Sequence, residues 1–525
     1  MVFLSGAFVL FLAATLTLYY LVPKKFQWML LLAANLWFYL SGGVKAAAYL
    51  AFTTVTTWAA GLLLEKLNEA KKAIPKTDKD ALASNKAKKK AVTAAVLILN
   101  FGMLYLLKYL GFTVEALSKL VNSAGILWEP AVPTFALPLG VSFYIFQSVG
   151  YVIDQYRGKY PAEHNPARFL LFTSFFPQMV QGPISRFDKL GVQLREYHPF
   201  DAENLREGIQ IALWGYCKKM IIADRAAVAV GTFFGNYESY SGSVTAFAVF
   251  LYCIELYCDF SGGIDITRGA AKMLGIDLEE NFRRPIFALT LAEYWRRWHI
   301  TLGGWMRDYV FYPLSLSKPF GRLGKWAREH IGGKAAKILP TSAATFIVYL
   351  IIGIWHGANF RYIAYGFWNG AIITSSLLLA GVYSKLRERL HIRAESKGWH
   401  AFQMARTSFL VFLGRYITRS PRLLTGLALI GHTFDPRAFA VSDLWNGTLL
   451  HMGLTGADFR IIALATAVML AVEWHEEKHG SVTAALAKQN GFVQWLAMTA
   501  LMAALLFFGI FRGSYISSEF IYKQY

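Results

Sequence analysis

Charge is what this chain has little of. Only 16% of its 525 residues are Asp, Glu, Lys or Arg, against about 25% in a typical soluble domain. That scarcity excludes an ordinary water-soluble fold, whose whole surface must be solvated. In its place, 55% of the residues are hydrophobic, with 40 Phe, 27 Tyr and 15 Trp, and apolar runs recur from end to end. Cysteine is scarce too, at Cys217, Cys253 and Cys258. An odd count with no C-x-x-C spacing indicates neither a disulfide framework nor a zinc site, so packing is the expected role. No basic residue precedes the first apolar run, Val2–Val22, and Lys24 and Lys25 follow it. That order reverses a secretory signal peptide, and the run is expected to be a retained span. No nucleic-acid motif and no transporter-type repeat is visible, so the net charge of +20 reads as basic loops rather than nucleic-acid binding.

These features predict an all-α, polytopic membrane protein. A span needs about 20 apolar residues to cross about 30 Å of hydrocarbon. Val2–Val22, Phe26–Ser41, Ala46–Leu64, Ala91–Leu110 and Leu137–Val152 fit, followed by Ser243–Tyr257, Thr345–Ile354 and Ile363–Tyr383. Ser408–Ile417, Leu423–His432, Ile461–Val472 and Val493–Ile510 complete the set. Several are short, so roughly a dozen transmembrane and re-entrant helices are expected. Phe169–Phe176, interrupted by Pro177 and Pro183, suits a re-entrant segment, and Gly208–Phe234, with Lys218, Lys219, Asp224 and Arg225, an interfacial or broken helix. Asp265–Glu280 looks amphipathic and surface-lying. Between the third and fourth spans, Glu65–Lys90 holds nine lysines and is expected to be a flexible loop. The positive-inside bias places it in the cytoplasm with Lys24 and Lys25, and both chain termini on the outer face.

Polar residues concentrate between Glu293 and Gly357. Read as one helix, Tyr294–Tyr309 puts Trp295, Trp298, Leu302 and Trp305 on one stripe and Arg296, His299 and Gly303 on its neighbour, with Arg307 close by. A bend is expected at Gly303-Gly304. The same pattern fits an interfacial helix whose tryptophans sit at headgroup level and whose arginines hold lipid phosphate. His356 ends an apolar run between Trp355 and Gly357. It reads either as a packing residue or as a base, because burial keeps an imidazole neutral and a neutral imidazole accepts protons. Asn359 and Asn369 could hold such a ring or cap helices.

Trp295-Arg-Arg-Trp-His-Ile-Thr-Leu302, Trp305-Met-Arg-Asp-Tyr309 and Trp355-His-Gly357 together resemble the membrane-bound O-acyltransferase family. The likeness is to the branch of alginate O-acetylation membrane subunits, related to the teichoic acid D-alanylation membrane protein. Pro138-Leu-Gly-Val-Ser-Phe-Tyr144, Phe176-Pro-Gln-Met-Val-Gln-Gly-Pro183 and Tyr257-Cys-Asp-Phe-Ser-Gly262 fit the same branch. The resemblance implies a ring of helices around a central funnel, with His356 as the active-site histidine and His299 as the second motif histidine. The tail Phe520-Ile-Tyr-Lys-Gln-Tyr525 resembles an acyl-carrier tail of the D-alanylation system, which implies Tyr522 as an acyl carrier. The departure is Tyr525, an aromatic where that pattern has Phe.

The expected organisation is one integral membrane domain over residues 1–525. Peripheral spans occupy 1–135, a catalytic core 137–370, further spans 371–514 and the carrier-like tail 515–525. The expected activity moves an acyl group, most simply acetyl, across a bacterial plasma membrane. The donor is acetyl-CoA or another cytosolic acyl thioester, with no bound cofactor and no metal. His356 is the expected base, and His299 orients or stabilises the oxyanion. Trp295, Arg296, Arg297, Trp298, Arg307, Asp308, Trp355 and Asn359 are candidates for donor or substrate binding. Expected partners are membrane lipids, an extracytoplasmic acyltransferase and a polysaccharide acceptor, with no nucleic acid. Two other readings are D-alanyl transfer to teichoic acid, and a transporter or export channel without chemistry.

Overall fold

A computed structural model describes residues 3–132, 135, 137–179 and 181–511. Among these residues every extended element is a helix, and β pairing is limited to a bridge between Phe282 and Trp298. Two compact units divide the chain: Met1–Ala212 with Ile264–Glu279, and Leu213–Gly263 with Glu280–Tyr525.

The first unit begins with Gly6–Leu21, capped by the Ser5 side chain on the Phe8 amide. An aromatic cluster of Phe3, Phe8, Phe38 and Phe176 packs beside it, with ring centroids 4.6 to 6.3 Å apart. Here the lysine-rich stretch departs from expectation. Instead of a flexible loop it forms the ends of two long helices, Val44–Ala73 and Lys79–Lys108, joined by a short turn at 74–78. Lysine is a good helix former, and the breaker residues gather at the turn itself. Pro75 sits there, and Asp78 accepts from the Ala81 amide at 2.9 Å. Each helix has 30 residues and rises about 45 Å, which carries its lysine-bearing end beyond about 30 Å of hydrocarbon. Asn85 fastens the hairpin by donating to the Leu67 carbonyl at 2.9 Å. Most of Phe169–Phe176 lies in a helix of nine residues, Pro166–Ser174, which ends at a non-helical Phe175 and is too short to cross a bilayer.

The second unit holds both motif histidines. Gly208–Phe234, expected to be interfacial or broken, lies instead in a continuous helical run, Ala202–Tyr216, a π-helical stretch Cys217–Ala223 and Asp224–Gly235, with helical dihedrals at Tyr216 and Asp224. The π turn points Lys219 inward, where its ammonium meets Asp224 at 2.6 Å and Asp259 at 2.5 Å. This pairing explains a second departure. The span expected to stop at Tyr257 runs on as one helix, Gly242–Met273, so Asp265–Met273 is not a separate surface helix. Asp259 does not end the helix because a buried cation neutralises it. Gly262 also permits close approach: a Cβ there would come within 2.8 Å of the Gly215 carbonyl.

Among the described residues, five helices are long and apolar enough to cross a membrane: Ala46–Ala73, Lys79–Lys108, Gly242–Met273, Ala335–His356 and Gly491–Phe508. A sixth is counted if Phe360–Leu378 and Ala380–Arg389, bent by 64°, form one broken span. Other apolar helices are shorter than a full span. Leu423–Phe434, for example, has 12 residues, about 18 Å of rise. Lys397–Arg419 and Gly456–His479 are long, but charged residues, such as Arg406 in the middle of the first, dilute them.

Candidate active site

The tryptophan–arginine motif is not one helix. Leu291–Arg297 starts on a Thr290 cap, whose hydroxyl accepts from the Glu293 amide at 3.1 Å. Trp298 is then extended, and His299 adopts φ 48°, ψ 53° before Ile300–Met306 resumes. A left-handed conformation is uncommon outside glycine and marks a backbone fixed by its surroundings. The break falls at the histidine, whereas Gly303-Gly304 stays helical. Its cause is residue 281. The Asn281 carbonyl accepts from the Ile300 amide at 3.0 Å, and the Arg283 amide donates to the Arg297 carbonyl at 2.8 Å. Residues 281–284 thus pair with the hinge and hold it open.

Asn281 also fixes the imidazole. Its Oδ1 accepts from the Thr301 amide at 3.0 Å and from the Thr301 hydroxyl at 2.9 Å, and lies 3.2 Å from His299 Nδ1. A backbone N–H can only donate, so the atom facing it is oxygen and His299 Nδ1 carries the proton. In neutral His299 the lone pair therefore sits on Nε2. The ring is 1% exposed and meets Phe260 edge to face at 4.9 Å. Burial, and then the nearby His356, hold its pKa well below the ordinary histidine value.

His356 is the last residue of Ala335–His356. Trp355 connects the two histidines: its indole is 5.9 Å from the His299 ring and 5.0 Å from the His356 ring, centroid to centroid. Close packing of this helix against Phe360–Leu378 places the pair. A Cβ on Gly353 would collide with the Tyr362 carbonyl oxygen, and one on Gly357 with the Tyr362 ring. The glycine after the histidine is thus a steric requirement. His356 is partly buried and faces Tyr362, with ring centroids 6.4 Å apart.

A model of the membrane-bound O-acyltransferase family matches residues 161–394, a stretch that contains both histidines. The probable alginate O-acetylase AlgI of Pseudomonas aeruginosa is 30% identical over 471 residues, 89% of this chain and 81% of that protein. The chain belongs to the membrane-bound O-acyltransferase family. It is an acyltransferase and a multi-pass membrane protein, which sets aside an export channel without chemistry. A peptidoglycan O-acetyltransferase of Helicobacter pylori is 29% identical over 56% of each chain. A teichoic acid D-alanyltransferase of Bacillus subtilis is 26% identical over 45% of this chain and 58% of its own length.

Several expected site residues are engaged within the fold of this acyltransferase. Trp295 donates through Nε1 to Asn369 at 3.0 Å. Trp298 stacks on Tyr294 at 5.6 Å. Arg297 pairs with Glu293 at 2.8 Å and Glu477 at 2.9 Å, while Arg307 pairs with its neighbour Asp308 at 2.8 Å near the surface. Asn359 caps Phe360–Leu378 by accepting from the Arg361 amide at 3.1 Å. Arg296 is exposed. Tyr522 lies outside the described residues. The sequence reading missed Asn281 and Arg415, and held Phe260 only as part of the Tyr257–Gly262 motif. Asn281 lies 18 positions before His299 in an irregular segment, where no periodicity marks it. Arg415 is 5% exposed and donates to Tyr365 at 3.1 Å and Tyr294 at 3.0 Å.

Proposed function

We propose that the chain transfers an acetyl group from a cytosolic thioester, acetyl-CoA or a related donor, towards the hydroxyl groups of a cell-surface or secreted polysaccharide. The observation that carries this reading is the convergence of His299 and His356 on the Trp355 indole, inside the segment that matches the family. Likeness to an alginate O-acetylase over 89% of the chain, against 45% for a D-alanyltransferase, supports acetyl over D-alanyl cargo.

In this reading a hydroxyl oxygen attacks the thioester carbonyl carbon. His356 takes the hydroxyl proton, the carbon–sulfur bond breaks, and the proton passes to the departing thiolate. General-base assistance of this kind contributes about 10²–10⁴-fold. His299, with its lone pair on Nε2, acts as an acceptor that orients a donor group. That favours orientation over oxyanion stabilisation, which needs an N–H. Arg296 and Trp355 are candidates for donor contact.

Tyr522 is the proposed carrier. A phenol has a pKa of about 10, against about 8.5 for a thiol and far higher values for an alcohol. An acyl phenyl ester therefore stays activated for onward transfer, which a separate extracytoplasmic acyltransferase completes. The protein sits in a bacterial plasma membrane with the lysine-rich hairpin turn inside and both termini outside. The test is mass spectrometry of the C-terminal peptide after incubation with acetyl-CoA. One acetyl group on Tyr522 is expected. A D-alanyl adduct on protein isolated from cells would reassign the cargo, and an unmodified tail in an actively acetylating enzyme would remove Tyr522 from the relay.

A further inference from the structure

Behind Trp298, on helices of the second unit, lies a cavity of about 600 Å³. Phe247, Phe250, Phe409 and Phe412 give it apolar walls, and neither His299 nor His356 lines it. One cation, Arg415, contributes to the lining. Arg415 is only 5% exposed. Its hydrogen bonds go to two neutral phenols, Tyr365 at 3.1 Å and Tyr294 at 3.0 Å, and its guanidinium lies over the Trp298 ring at 5.3 Å. Among the described residues no carboxylate ion-pairs with it. The acid in the same lining, Glu473, accepts from the Tyr257 hydroxyl.

A buried charge costs free energy unless it is paired, and inside a membrane protein it marks a site by default. Two phenols satisfy part of the guanidinium but supply no negative charge. A planar guanidinium presents five N–H donors in a fork that fits a carboxylate. The long apolar walls ask for hydrocarbon, and the volume suits one alkyl chain with a small head rather than a two-chain lipid.

We propose that this cavity binds a single-chain fatty carboxylate, with the chain along the phenylalanine walls and the carboxylate on Arg415. The site is separate from the histidine pair, and the proposal does not depend on the identity of the transferred acyl group. Because Arg415 holds Tyr294 and contacts Trp298, the residue before the His299 hinge, occupancy would also stiffen that hinge.

The test uses the full chain in mild detergent, with native mass spectrometry and thermal shift as readouts. Probes are oleate, methyl oleate and a phosphatidylglycerol. One oleate per chain is expected, with methyl oleate, which lacks the charge, bound about thirtyfold or more weakly. Arg415→Gln should weaken oleate by a similar factor. Ala246→Phe, which narrows the cavity at its lining and leaves the Arg415 side chain unaltered, should weaken binding without unfolding the protein, and it decides the matter if Arg415→Gln does not fold. Equal retention of oleate and methyl oleate, or oleate binding unchanged by Ala246→Phe, overturns the site. Arg415-dependent binding of phosphatidylglycerol without oleate overturns the choice of a fatty carboxylate.

Discussion

Asn281→Ala removes the side chain that anchors the His299 ring and Thr301, and leaves both histidines and the backbone pairing at residues 281 and 283 in place. Three donors lose their acceptor: the Thr301 amide at 3.0 Å, the Thr301 hydroxyl at 2.9 Å and His299 Nδ1 at 3.2 Å. Asn281 is 0% exposed, so water does not readily replace it. Each buried donor left unsatisfied costs about 1–3 kcal/mol. The hydroxyl can rotate to another partner but the amide and ring cannot, so the expected loss is about 3–4 kcal/mol. The imidazole also loses its anchor, and a displacement of about 1 Å at a reacting group can cost about 10²-fold in rate. The assay pairs thermal unfolding in detergent with acetyl transfer from a labelled thioester. Asn281→Asp keeps the acceptor oxygen for the Thr301 amide and should recover most of the lost stability. Wild-type stability and rate in Asn281→Ala would contradict this, because the Asn281 side chain would then add nothing to the backbone pairing that holds His299.

Gly353→Val should prevent accumulation of folded protein, since the new side chain collides with the backbone of Phe360–Leu378, whereas Gly231→Ala, with nothing within 4 Å of the added Cβ, should fold normally. Lys219→Met leaves Asp224 and Asp259 buried without their cation and should cost about 3–5 kcal/mol; adding Asp259→Asn should restore part of it in the same melting assay. His299 should stay neutral through about pH 6.5, where an ordinary histidine is half protonated, when followed by isotope-edited NMR. Its folded pKa lies below the ordinary value of about 6.5, so its contribution to stability is present above about pH 6.5 and is lost as pH falls. His299→Gln should flatten the acid side of the stability profile.

The chemistry was more legible in the sequence than the backbone that delivers it. Trp-His-Gly and the tryptophan–arginine motif stand out because polar residues are rare in this chain, and their neighbours carry the family resemblance. The apolar runs marked the membrane class for the same reason. The lysine-rich stretch misled because solvation and helicity are independent: lysines at the end of a long helix are as well hydrated as lysines in a loop. Asp259 misled because a charge ends a span only if unpaired, and Lys219 is 40 residues away in sequence. The hinge at His299 was hidden for a similar reason. Local propensity favours a bend at Gly303-Gly304, but tertiary hydrogen bonds from Asn281 override it. Asn281 and Arg415 act through partners distant in sequence, which no window of residues displays.

His356 is the proposed base of the acyl transfer. The direct measurement is single-turnover transfer of labelled acetyl from a thioester by His356→Gln protein reconstituted in liposomes. Its melting temperature should match wild type, to separate chemistry from folding. Loss of general-base assistance should lower the rate by about 10²–10⁴-fold. A folded His356→Gln enzyme transferring acetyl at the wild-type rate would contradict the account.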